Sequence, residues 1–177
     1  MNQTSDLAAR AAAIELLLLD VDGVLTDGSV IYADDGTELK RFHVRDGSGL
    51  KLWHGAGKRS AIVSGRRSIA VDRRAAELGI DPVLQGRDDK LAAFVQVLAA
   101  TGLRPEQVCA IGDDLPDLPV LRQCGLAVAV ADACQELRSV ANYVTTTPGG
   151  RGAVREAIEW LLKASGRWDE LVARYAT

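Results

Sequence analysis

With 177 residues, 47% of them hydrophobic and 25% charged, the chain can bury the core of one α/β domain and has the composition of an ordinary globular protein. Its net charge of −3 excludes the broad basic field that nucleic-acid binding requires, so an anionic ligand would need a local cationic pocket. Cys109, Cys124 and Cys134 lack metal-ligand spacing and have apolar neighbours. They predict buried small side chains and a reducing, cytoplasmic setting, and no stretch is apolar for long enough to suggest a signal peptide or a membrane span.

Residues 1–13 read as a short, loosely held helical extension leading into the first strand. The apolar run over 14–19 ends in Asp20, the pattern of a central parallel strand buried on both faces. Segment 28–44 reads as a β-hairpin insertion, with strands at 29–33 and 38–44 and a turn at Asp34-Asp35-Gly36. Helical patterns then fall near 46–56, 66–78, 88–101, 114–123, 133–140, 151–164 and 166–175, alternating with short strands near 59–63, 82–84, 107–111, 126–129 and 142–145. Such alternation predicts one α/β domain over residues 1–177, a Rossmann-like parallel sheet flanked by helices with right-handed crossovers. Ligands bind such sheets at the carboxyl ends of the strands, and there the sequence places Asp20, Ser64 and Asp113.

Those residues suit phosphoryl transfer. In Asp20-Val21-Asp22-Gly23, two carboxylates one residue apart leave a strand where glycine permits a sharp turn. Asp20 can attack phosphorus and Asp22 can protonate the leaving oxygen, then activate water. A carboxylate at ~4 Å from a phosphate faces about 4 kcal/mol of repulsion at an effective dielectric of 20, so cations are required. The carboxylates of Gly112-Asp113-Asp114-Leu115-Pro116-Asp117, with Asp20 and the backbone carbonyl of Asp22, form an all-oxygen set suited to Mg²⁺ rather than zinc. Ser64 can hold phosphoryl oxygens at the start of a helix, and Lys90 can neutralise nucleophile and phosphate together.

These four segments resemble the motifs of the haloacid dehalogenase (HAD) superfamily: DVDGV, the serine of IVSGR, Lys90, and GDDLPD. The resemblance implies a HAD fold with nucleophile Asp20, acid/base Asp22, a metal site of Asp20, Asp22 and Asp113, and Asp117 in support of Lys90. No inserted segment is long enough for a cap domain. The strings DVDGVLTDG, DDGTELKRFHVRDGSGL, GDDLPDLPVL, VAVADA and GGRGAVRE are similar to the capless phosphatases of 3-deoxy-D-manno-octulosonate 8-phosphate (KDO 8-phosphate), enzymes of lipopolysaccharide precursor synthesis. That similarity implies Mg²⁺, a small sugar-acid phosphate as substrate, and a homotetramer in which a neighbour's hairpin completes each site. A phosphatase for a nine-carbon sugar acid 9-phosphate, of the KDN or sialic-acid type, fits the same residues. A phospho-acceptor receiver domain fits less well, since it carries no acid/base two residues after its acceptor.

For a substrate bearing a carboxylate as well as a phosphate, arginines are the natural recognition groups. Arg66, Arg67 and Arg151 are the candidates, the last in a Gly149-Gly150-Arg151-Gly152 turn where backbone can approach a ligand. Asp46 reads first as a helix N-cap and second as a ligand for sugar hydroxyls. Lys40 and Arg41 read as solvated hairpin charges unless the hairpin reaches another subunit, and His43, His54 and the three tryptophans as structural.

Overall fold

The computed structural model describes residues 3–175, with side chains from Asp6 onward. In chain order the elements are α1 (Gln3–Ala13), β1 (Leu16–Leu19), a hairpin of β2 (Ile31–Tyr32) and β3 (Glu38–Leu39), α2 (Val44–Gly55), β4 (Arg59–Val63), α3 (Ile69–Leu78), β5 (Val83–Leu84) and α4 (Lys90–Thr101). There follow β6 (Val108–Gly112), α5 (Leu118–Leu121), β7 (Leu126–Ala129), α6 (Gln135–Val140), β8 (Tyr143–Val144), α7 (Ala153–Ala164) and α8 (Trp168–Ala173).

Six strands form one parallel sheet in the order β5-β4-β1-β6-β7-β8. The four leucines of β1 are all buried, as a central strand covered on both faces requires. From β1 the chain moves outward to β4 and β5, then crosses back to β6 and runs to β7 and β8. Right-handed crossovers in opposite directions put their helices on opposite faces. Accordingly α2 packs with α3 and α7, and α7 with α1, whereas α4 packs with α5 and α5 with α6. Between β4 and β6, β1 therefore sits at the point where the winding reverses, the place where ligand crevices open in such sheets.

Several boundaries move for local reasons. The hairpin pairs only Ile31 with Leu39 and Tyr32 with Glu38, and the turn is closed by Gly36 at φ 83°. Residues 40–43 are unpaired, and His43, with extended backbone, is the N-cap of α2. The helix expected over 114–123 is broken into a 3₁₀ turn at Leu115–Asp117 and the single turn α5, because Pro116 and Pro119 cannot donate within a helix. Among the described residues, only β2 and β3 lie between β1 and α2 and only α3 and β5 between β4 and α4, so neither gap holds a cap domain.

The N-terminal extension is held, not loose: Ala11 is buried, and the Arg10 guanidinium donates to the Gly125 carbonyl. Its first two positions, Met1 and Asn2, lie outside the described residues. The tryptophans do pack. Trp53 is buried and donates to the Arg59 carbonyl at 2.7 Å, Trp160 stacks on Tyr143 at 4.6 Å, and Trp168 carries Arg155 and Lys163 over its ring.

Candidate active site

Asp20 follows β1 directly, and its amide donates to the Ile111 carbonyl at 3.2 Å, so the neighbouring strand fixes its backbone. Lys90 opens α4, whose start is set by Asp89 accepting from the Ala92 amide at 2.9 Å. The Lys90 ammonium lies 2.9 Å from an Asp20 oxygen and 2.6 Å from Asp117, with all three side chains nearly enclosed. Asp117 also accepts from the Asp113 amide at 3.3 Å. Glycine at 112 is what permits this, since a Cβ there would stand 2.6 Å from the Asp117 Cβ. Likewise a Cβ on Gly23 would meet an Asp113 oxygen at 2.0 Å.

Three carboxylates crowd one ammonium here. Oxygens of Asp20, Asp113 and Asp117 lie within 4.8 Å of one another. Burial, then the charge of Asp117, raises the Asp20 carboxyl to about 6 against the pull of Lys90. Burial and the charges of Asp20 and Asp117 raise Asp113 to about 8. For Lys90, burial works against the charge, but Asp20 and Asp117 outweigh it and hold the ammonium above its ordinary range. One lysine cannot neutralise the cluster, and the excess negative charge is carried by oxygen atoms alone. That donor set fits a hard divalent cation such as Mg²⁺. The Asp22 carboxylate is outside the cluster, which leaves only its backbone carbonyl as a metal donor.

Asp22 belongs to a second group. Its Oδ1 pairs with the ammonium of Lys40, whose side chain is 2% exposed, and its Oδ2 lies 3.7 Å from the Arg66 guanidinium. Glu38 accepts from Arg66 at 2.7 Å and lies 3.6 Å from Lys40. Lys40 is therefore not a solvated hairpin charge: the unpaired stretch after β3 brings it to Asp22 of its own chain. Glu38 and Lys40 alternate along that stretch, and the two-residue spacing that puts both on one side was the available signal.

A cavity of about 390 Å³ joins the two groups, lined by Asp20, Asp22, Ser64, Arg66, Arg87 and Asp113 among others. Ser64 directly follows β4, with its amide and carbonyl tied to Leu84 and Arg87. Because α3 begins only at Ile69, Ser64 stands in a loop and not at a helix N-terminus, so no helix dipole assists it. Arg87 is a lining residue that the reading of the GRDDK stretch passed over.

The other expected substrate residues are elsewhere. Arg67 turns toward Gly86 and lines a larger groove of about 820 Å³ between the hairpin and α3, which contains none of the cluster carboxylates. Arg151 is mostly exposed and 3.8 Å from Asp27, which also pairs with the exposed Arg41. Its glycine turn does pack on the Asp20 loop: a Cβ on Gly149 would meet the Gly23 carbonyl at 1.7 Å. Asp46 is buried and caps not its own helix but α7, accepting from the Arg155 amide at 2.9 Å. Burial raises its carboxyl.

A parallel sheet in this order, with carboxylates gathered at the ends of its central strands and no cap, is the architecture of a haloacid dehalogenase-like hydrolase. Residues 82–158 match that family. The KdsC 3-deoxy-D-manno-octulosonate 8-phosphate phosphatase of Escherichia coli K12 is 47% identical over 167 residues, covering 94% of this chain and 89% of the relative. The chain belongs to the KDO 8-phosphate phosphatase family. Among solved structures, the Moraxella catarrhalis phosphatase in complex with magnesium, phosphate and KDO superimposes with a TM-score of 0.93 at 44% identity, covering 97% of this chain and 98% of that one. The cobalt-bound Haemophilus influenzae phosphatase matches with a TM-score of 0.86 at 40% identity, covering 90% and 93% of the two chains.

Proposed function

We propose that this chain is a Mg²⁺-dependent phosphatase that hydrolyses KDO 8-phosphate to KDO and phosphate through an aspartyl-phosphate intermediate. The observation that carries the reading is Asp20: a nearly enclosed carboxylate 2.9 Å from Lys90, grouped with Asp113 and Asp117, in a chain 47% identical to phosphatases of that ester.

In the first step an Asp20 oxygen forms a bond to phosphorus while the ester P–O bond breaks, and Asp22 gives a proton to the departing sugar oxygen. Asp22 then takes a proton from water, whose oxygen attacks phosphorus as the bond to Asp20 breaks, releasing phosphate and restoring both carboxyls. Ser64 holds a phosphoryl oxygen, and Lys90 orients Asp20. Asp20, Asp113 and the Asp22 carbonyl would hold Mg²⁺, which when bound would offset the charge of nucleophile and phosphate together. Arg66, which lines the cavity, is the cation we assign to the sugar's carboxylate, while Arg67, Arg151 and Asp46 do not line it.

The chain acts as one domain, supported by a single hydrophobic cluster running from Ala11 to Leu171. A homo-oligomer, with four subunits by resemblance, is supported by Val30, Ile31, Tyr32 and Leu39 of the hairpin, all exposed in the single chain. No helix of the described residues is long and apolar enough to cross a membrane, and a cytoplasmic setting suits its three free cysteines.

The decisive assay is phosphate release from KDO 8-phosphate and from a nine-carbon sugar acid 9-phosphate, side by side, with and without Mg²⁺. We expect Mg²⁺-dependent release with KDO 8-phosphate preferred, and a tenfold or greater preference for the nine-carbon ester would overturn the substrate.

A further inference from the structure

We infer that Lys40 is the positioning residue that decides which oxygen of Asp22 meets the leaving group. The inference rests on the reading of Asp22 as the acid that protonates the departing oxygen.

A lysine side chain only 2% exposed is rare unless paired, and Lys40 has two partners, the Asp22 Oδ1 and Glu38 at 3.6 Å. Asp22 thus has its two oxygens in different situations. Oδ1 is committed to an enclosed ammonium, and Oδ2 is buried without any hydrogen bond. Arg66 covers Oδ2 at 3.7 Å, beyond hydrogen-bond reach. Arg66 is 45% exposed and free to shift when substrate arrives, whereas the Lys40 side chain is 2% exposed.

An aspartate's terminal torsion is broad and two-fold, so an unheld carboxylate would present either oxygen at a range of angles. Pinning Oδ1 removes that freedom and leaves Oδ2 as the oxygen that delivers the proton. A misplacement of about 1 Å at a reacting group can cost roughly 100-fold in rate. Glu38 completes the arrangement by accepting from Arg66 at 2.7 Å, which keeps the second cation from drawing Oδ1 off Lys40.

The test uses kcat/KM, which includes only steps up to leaving-group departure, for a series of substituted phenyl phosphates. These esters share a shape and carry no carboxylate. Their leaving groups range from p-nitrophenolate, which departs without a proton, to phenolates that need one. For Lys40→Met we expect roughly a 100-fold loss on phenyl phosphate and no more than about threefold on p-nitrophenyl phosphate. Lys40→Arg, which keeps a cation against Oδ1, should recover part of the phenyl phosphate rate. Asp22→Asn run alongside should show the same selective loss.

An equal loss across the series in Lys40→Met, or none, would overturn the inference while a selective Asp22→Asn leaves the acid in place. A flat response in Asp22→Asn would instead remove the acid itself. Lys40→Gln serves as a second neutral variant, and if both neutral variants unfold by circular dichroism, Lys40 is a structural residue and the inference fails.

Discussion

Asp20 and Asp22 line one cavity and leave the same loop two residues apart, yet their lysine partners, Lys90 and Lys40, are held by different parts of the fold. Asp20, Asp113 and Lys90 hang from β1, β6 and α4, where ladder hydrogen bonds and a helix cap set each backbone. Lys40 and Glu38 hang from a hairpin whose strands pair over two residues each and which lies outside the main sheet. The first group is an excess of carboxylates, with Asp20 and Asp113 pushed to about 6 and about 8. The second is a balanced set of two carboxylates and two cations. A rigid site short of positive charge is what a metal and a phosphate complete, while a balanced, outlying set is suited to meeting the variable part of a substrate.

The largest expected effect is on Asp20. Asp20→Asn should lower phosphate release by at least about 10⁴-fold, since it removes the oxygen that bonds to phosphorus. A sizeable residual rate would show that another group attacks phosphorus. Lys90→Met comes next and should cost about 3 kcal/mol of stability in urea without divalent cation, because it leaves Asp20 and Asp117 enclosed without a partner. Adding Asp117→Asn to that variant should return part of the loss, and no return would mean the three side chains are not one charge unit. On the hairpin side, Arg66→Ala should raise KM for KDO 8-phosphate roughly tenfold with stability unchanged, whereas Arg67→Ala should leave KM alone. Equal effects of the two would erase the distinction between cavity and groove.

The smallest effect is a pH dependence confined to the sheet-edge group. Folded Asp20 and Asp113 hold protons that the unfolded chain, with an aspartate near ~3.9, releases. Their contribution is fully present below about pH 4 and is lost as pH rises through about 6 and about 8. Without metal, the melting temperature should therefore decline from about pH 4 to about pH 8 and then level. Mg²⁺ needs deprotonated carboxylates, so the stabilisation it adds should grow over the same window. Thermal unfolding with and without Mg²⁺ checks both, and a Mg²⁺ increment independent of pH would contradict the assignment of these carboxylates.

Much of the sheet-edge group was legible in the residues. Strands ending at Asp20 and Ser64, and the GDD that closes β6, follow from apolar runs stopped by polar residues, because burial on both faces leaves no room for charge until the strand emerges. Lys90 was legible from its place near the start of a helix expected over 88–101, while the structure starts that helix at Lys90 behind an Asp89 cap. The hairpin group was not. Lys40 read as a solvated charge and Asp46 as the cap of its own helix, because local pattern cannot say which distant backbone a side chain will reach.

Sequence alone determined the element order, the parallel sheet and the chemistry at its edge, since periodicity and the types of residue at strand ends are local properties. Tertiary structure decided that Lys40 turns inward to Asp22, that Arg66 and not Arg67 faces the cavity, and that Asp46 caps α7. Each of those outcomes depends on where crossovers and an unpaired stretch bring segments far apart in the chain, and on which charges burial there forces into pairs.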